Sequence, residues 1–347
     1  MSYKQMTGNI ISATKVEPDG AFEDSAASGV WNLQDQYDYV RGDNWPNAGN
    51  PANTAVFFGG AGGSGINNSI QTVVITSLGN ATDIGNLTYS PAQGCAACSS
   101  STRAIVSGGQ SLSDNTINYW EYASGGNGSD FGNLLSGAGF GYHCGLSSST
   151  RGIFAGGQAS NESISNVIEY VTLANTGNGT DFGDLTVARN ELRGCASPTR
   201  GIIGGGKNSS NSPTNILDYI TIASVGNATD FGNLSRVQQL LASASSATRG
   251  LWAGGTGGDE DHIDYVTIAS TGNATNFGDL SVARHSVAGS SNLTRAIFGG
   301  GYASSSGQNI IDYVTIASTG NAQDFGDLAI AQYNGAASSN SHGGITA

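Results

Sequence analysis

Charge, proline and long apolar runs are all scarce in this chain, and each scarcity closes off a class of protein. Of 347 residues only 11% are charged, and 13 Lys and Arg face 26 Asp and Glu, for a net charge of −13. A chain of that sign attracts neither backbone phosphate nor anionic lipid, so no nucleic-acid partner is expected. No apolar run approaches the ~20 residues that cross a bilayer. The opening MSYKQMTGNI lacks the basic-then-apolar plan of a secretory leader. The expectation is synthesis in a cytoplasm, with no signal peptide and no membrane insertion. Four cysteines, Cys95, Cys98, Cys144 and Cys195, are too few for a disulfide framework in a chain of this size. Four scattered histidines, with no H-x-x-x-H pair and no G-x-S-x-G nucleophile motif, predict no catalytic site, no metal and no cofactor.

Glycine is abundant, 53 residues, and it recurs on a period. A Gly-Asn landmark falls at Gly79, Gly126, Gly177, Gly226, Gly272 and Gly320, with spacings of 47, 51, 49, 46 and 48 residues. A full copy offers four short strand-like runs. In the last copy these are SVAGSS (286–291, strand A), AIFGG (296–300, B), IDYVTIAS (311–318, C) and DFGDL (324–328, D). Strand B ends in glycines that permit a tight turn, and strand C carries the β-branched and aromatic residues that suit a pleated surface. A near-fifty-residue period with four strands per copy is the signature of a β-propeller. The first copy lacks a strand A, whereas a spare one follows Leu328. Closure of the ring by residues 335–339 solves both deficits and predicts six blades over residues 54–347. Residues 1–53 form a separate N-terminal segment, irregular apart from a short helix after Ser28.

Within a copy the order R-x-x, a small run, R-A-I-F-G-G-G, I-D-Y-V and a short strand with one aromatic resembles the kelch repeat. The resemblance implies an all-β, six-bladed kelch-like β-propeller with a Tyr in strand C and a Trp in strand D. Here Ile84, Phe131, Phe182, Phe231, Phe277 and Phe325 stand where the Trp would be. A second resemblance lies in A-S-G-V-W-N-L-Q-D-Q-Y followed by N-W-P, which is similar to a short module of bacteriophage tail-fibre and virion proteins, marine phages among them. Trp31, Tyr37, Trp45 and Pro46 carry that match, and with Leu33 they are the candidate assembly contacts. The resemblance implies a virion component, joined to other virion proteins or sister copies through residues 1–53. The competing reading of the segment is a strap that plugs one propeller face.

The copies differ from one another in an uneven way. The C–D turn barely changes (LGNATD, GGNGSD, TGNGTD, VGNATD, TGNATN, TGNAQD), whereas the B–C loops share almost nothing, from AGGSGINNS (61–69) to TGGDEDH (256–262) and YASSSGQN (302–309). Divergent loops on a rigid scaffold are where recognition is usually placed. Asn161, Asn208, Asn211, Asp259, Asp261, His262, Tyr302 and Gln308 are the candidate ligand-binding residues, with chemistry suited to a hydroxyl-rich host-surface polysaccharide or receptor. Unconstrained drift of the loops is the other explanation. A secreted or surface glycan-binding propeller, and a carbohydrate-active enzyme using Asp259 or Glu260 with Glu162, are the alternative functions.

Two ladders complete the pattern. Arg103, Arg151, Arg200, Arg249 and Arg295 open strand B, and Gln71, Asn118, Glu169, Asp218, Asp264 and Asp312 share one slot of strand C. The arginines are expected to tie each blade to a neighbour's carboxylate or turn carbonyls, as repeat interfaces require, rather than to hold an anion. The Asn- and Asp-rich turn needs no calcium, because its second acidic position alternates between Asp (184, 279, 327) and Asn (86, 133, 233). Counting forward from the Leu that ends strand D places Cys144 and Cys195 in one slot with Ala97, Ala244, Ser290 and Ser338. It places Cys95 with Ala242, Ala288 and Ala336. These read as packing positions.

Overall fold

A computed structural model of the chain describes residues 53–62, 65–91, 94–109, 115–135, 141–159, 162–256 and 261–345. The chain divides into Met1–Ala52 and Asn53–Ala347. The expected helix and Trp31, Leu33, Tyr37, Trp45 and Pro46 fall in the first unit, outside the described residues.

The second unit is a six-bladed β-propeller, and no helix occurs among its described residues. Blade 2 shows the plan: strands Ala96–Ser99, Arg103–Ser107, Thr116–Glu121 and Ser129–Asn133 pair antiparallel in the order A-B-C-D. Blade 1 is assembled from both ends of this unit. Its B, C and D strands are Thr54–Gly62, Gly65–Val74 and Thr82–Asn86, and its A strand is Ala336–Ser339, paired as Val56 with Ser338 and Phe58 with Ala336. The six A strands touch in a closed circle, so the expected closure holds and every blade has its inner strand.

Both faces of each sheet are covered by neighbouring blades. Strand B is therefore buried at every apolar position, as in Phe57-Phe58 and Leu251-Trp252. A continuous apolar run is what such two-sided burial demands. The cores lie between blades: Cys144, Leu146, Ile153 and Phe182 of blade 3 pack with Ala196, Ile203 and Ile220 of blade 4. In the short D-F-G stretch of strand D the phenylalanine is the buried residue. Phe131, Phe182, Phe231, Phe277 and Phe325 each meet the strand C tyrosine of their own blade edge-on, at 5.8–6.2 Å between centroids. A smaller ring thus fills the place a Trp would take.

The cysteine slots differ from the sequence count. Register with strand B puts Cys98 and Cys195 in one slot with Ala244 and Ser290, opposite Ile105, Ile202, Leu251 and Ile297. Cys144 sits two residues earlier, opposite Ala155, in the slot of Ala96, and Cys95 precedes strand A altogether. The D–A connections vary in length, so counting from strand D slips. All four thiols are buried and unpaired, as packing positions should be.

Candidate functional site

The repeated side chains are joints between blades. In all six junctions the turn asparagine accepts the backbone N–H of an Asp or Asn on the preceding blade's strand D, at 2.9–3.2 Å, as Asn273 does from Asn233. Only the backbone of that second acidic position is used, which is why Asp and Asn alternate there. The approach is close enough that a Cβ on Gly232 would fall on the carbonyl oxygen of Gly272. The same holds for Gly85, Gly132, Gly183, Gly278 and Gly326 against their own neighbours.

The strand B arginines stack over the tyrosine of their own blade at 4.4–4.8 Å and donate to backbone carbonyls ending strand C of the next blade. Arg151 reaches Ile222, Arg200 reaches Ile268 and Arg295 reaches Ile75. They bind turn carbonyls, one of the two partners the sequence suggested. In blade 1 the guanidinium and its ring are missing together: Thr54 and Thr72 occupy the two slots. The acidic ladder faces the other way, accepting from the connection that leaves the previous blade. Asp312 takes the N–H and hydroxyl of Ser281, and Asp218 those of Thr186.

Each of these buried acceptors has its own compensation. Asp218 and Asp312 form ion pairs with the fully buried Arg189 (2.7 Å) and Arg284 (2.9 Å). In blade 5 Gln238 stands in the arginine's slot, and His262 bonds Asp264 instead, at 3.1 Å. In blade 1 both partners are neutral, with Gln71 donating to Gln332 at 3.0 Å. Glu169 accepts from Leu135 N–H and has no cation among the described residues, and burial pushes its carboxyl up to about 7.

The opposite face, with the B–C loops and D–A connections, is built differently. Two residues before each A strand the backbone turns left-handed: Gly94, Tyr142, Glu191, Leu240, Ser286 and Asn334 all have φ between 56° and 65°. That turn points each N–H sideways at the previous blade. Tyr142 donates to Gly94 O, Glu191 to Tyr142 O, Leu240 to Glu191 O, Ser286 to Leu240 O and Asn334 to Ser286 O, at 2.7–3.1 Å. A girdle of five main-chain hydrogen bonds thus joins the six connections around the mouth of the central channel. Outside it, short pairings tie connection to loop: Gly141 with Gln158, Asn190 with Lys207, Gln239 with Thr256, His285 with Tyr302 and Tyr333 with Ala61.

The mouth is closed at its far end by the C-terminal residues. His342 Nε2 lies 3.1 Å from both Ser147 Oγ and the Ser99 carbonyl, and Gly343 donates to Ser245 O. Burial holds the His342 imidazole down at about 4, so it is neutral. Among the described residues these C-terminal ones cover the channel on the side away from the variable loops.

Of the sequence candidates, Asn161 and Asp259 lie outside the described residues. Asn208 spends its Oδ1 on Ser210 and Ser212 N–H within its own loop, and Asn211 is exposed at the tip with φ 57°. Asp261 is half-buried, its carbonyl accepting from Leu280, and His262 is buried in the joint with Ser235 and Asp264. Gln308 Nε2 braces the hairpin through Ala303 O and Ser306 O. Tyr302 alone joins a cluster: its half-exposed ring lies 5.4 Å from His285 and 5.0 Å from Tyr333. His285, Tyr333 and the channel residue Arg193 escaped the sequence reading, although the D–A connections RNEL, QQLL, RHSV and QYNG diverge as much as the B–C loops do.

Fold and site together define a repeat-built propeller with one conserved-geometry face and one diversified face. In comparison with known proteins, no family model matches the sequence and no curated protein matches it.

Proposed function

We propose that the propeller is the host-recognition part of a phage particle, and that it takes a surface polysaccharide on the face around the channel mouth. The observation that carries this reading is the His285–Tyr302–Tyr333 cluster, half-exposed where every underlying backbone segment is pinned. Tyrosine rings offer rigid amphipathic area at small entropic cost, with a flat surface for the C–H face of a pyranose and a hydroxyl at the rim. The half-buried Gln239 and Asn334 on the same face carry amide N–H donors of the kind hydroxyls require. The likeness of residues 26–46 to phage structural modules supports placement on a virion, as does the kelch-like order of each copy. No catalytic step is proposed. The test is binding of the full chain to host cells and to an array of bacterial surface glycans. Tyr302→Ala combined with Tyr333→Ala should lower binding at least tenfold with an unchanged melting temperature. Undiminished binding by that variant would refute the reading.

A further inference from the structure

Strand A begins with alanine in four blades and with Cys144 in blade 3, but in blade 4 it begins with Arg193. Small residues are what a channel lined by six closely packed strands accommodates, so a single guanidinium there is anomalous. Arg193 lines the channel cavity with Cys95 and His143, which lead into the A strands of blades 2 and 3, and its charge acts on the thiols of Cys95 and Cys144. Among the described residues it makes one hydrogen bond, from Nη1 to its neighbour's carbonyl at Leu192 (3.0 Å), and no ion pair. Glu191, the carboxylate nearest in sequence, is already bonded to Lys207 at 2.8 Å. Arg189 and Arg284, by contrast, are fully buried and each has an aspartate, whereas Arg193 is partly exposed. A partly exposed guanidinium with no carboxylate bonded to it among the described residues keeps donors free until something supplies a counter-charge.

The cavity points to what does. It has room for water over about 70 Å³, enough for about five molecules at the ~15 Å³ each requires. Ser290, 4% exposed, stands in the same lining. The far end is covered by His342 and Gly343, so entry is from the mouth. A planar fork of donors in a small, one-ended cavity matches a group with two or more anionic oxygens. We propose that the channel binds an oxyanion on Arg193: a sulfate, phosphate or carboxylate group, either free or carried by a larger ligand seated on the mouth.

The site does not depend on the glycan reading, since a propeller that binds no polysaccharide would still take sulfate here. Full-chain protein titrated with sodium sulfate, phosphate and acetate at low chloride should show saturable binding of one sulfate or phosphate per chain, with a rise in melting temperature. Arg193→Gln should weaken that binding at least tenfold while melting, without anion, no lower than the unaltered protein. Equal affinity in the variant, or no saturable effect of any of the anions, overturns the proposal. If the variant does not fold, crystals of the unaltered protein soaked in selenate decide the matter. A selenium peak on the Arg193 guanidinium is expected, and a peak elsewhere or none overturns it. Displacement of that peak by a sulfated or uronic oligosaccharide assigns the group to a larger ligand, whereas a retained peak assigns it to the free ion.

Discussion

The two faces of the disc join the same six blades by opposite means. On the C–D turn face the joints are side chains: turn asparagines, stacked arginines and the glycines that let them approach. On the mouth face the girdle is main chain alone, passing through Gly94, Tyr142, Glu191, Leu240, Ser286 and Asn334 without regard to residue type. Residue identity is therefore fixed at the turn joints and free at the girdle positions, with the buried Arg189 and Arg284 the exceptions in the connections beside them. A propeller built this way can change what it recognises without changing how it closes.

Removing the closure should break both faces at once. Truncation before Gly335 strips blade 1 of its A strand, exposes Val56 and Phe58, and deletes the serine links from Ser339 to the neighbouring A strands. Loss of a cooperative melting transition is expected by calorimetry, and a retained sharp transition would show that the circle is dispensable.

The next largest effect belongs to a buried ion pair. Arg284→Met leaves Asp312 charged, enclosed and bonded only to Ser281, at a cost of about 3–5 kcal/mol in chemical denaturation. The chain contains its own remedy in the neutral Gln71–Gln332 joint of blade 1. Arg284→Gln with Asp312→Gln should therefore recover most of the loss. A double variant as unstable as the single one would show that the joints are not interchangeable between blades.

Glu169 tests the same ladder through pH. Its carboxyl is raised from 4.5 to about 7 by burial, with Leu135 N–H and Asp181 as the lesser influences. The folded state thus keeps its proton where the unfolded state has lost it. Stability falls as pH rises from about 4.5 to about 7, by roughly 3 kcal/mol in all, and stays low above that. Glu169→Gln should flatten this dependence and stabilise the protein at pH 8, measured by denaturation across pH 4–8. An unchanged slope would mean that the proton is lost elsewhere.

Six copies of a landmark and a missing first strand made the blade number and the closure legible before any coordinates. Strand B read clearly because burial on both faces leaves an unbroken apolar run. The site read poorly for the reason the faces differ. A main-chain girdle leaves no residue signature, so the alignment of the copies pointed only to loop variability and drew in His262 and Gln308, which are structural braces. The cysteine slots slipped because D–A connections differ in length. Arg193 was hidden because a channel position shows itself only when the register with strand B is known.

The smallest effects sharpen the comparison most, because the geometry on the two faces is matched and only the donor chemistry differs. Asn273→Ala removes the acceptor for Asn233 N–H on the turn face and should cost about 1 kcal/mol. Leu240→Asn, at a mouth residue of equal junction rank, keeps the N–H that reaches Glu191 O, and asparagine tolerates the φ of 56° that leucine occupies under strain. The half-buried leucine side chain is lost, but the relief of left-handed strain offsets it, so the net change should fall within about 0.5 kcal/mol of zero. Paired urea denaturation of the two variants gives the comparison directly. If Leu240→Asn proves as costly as Asn273→Ala, the mouth side chains carry structure after all, and the freedom that recognition on that face requires is lost with them.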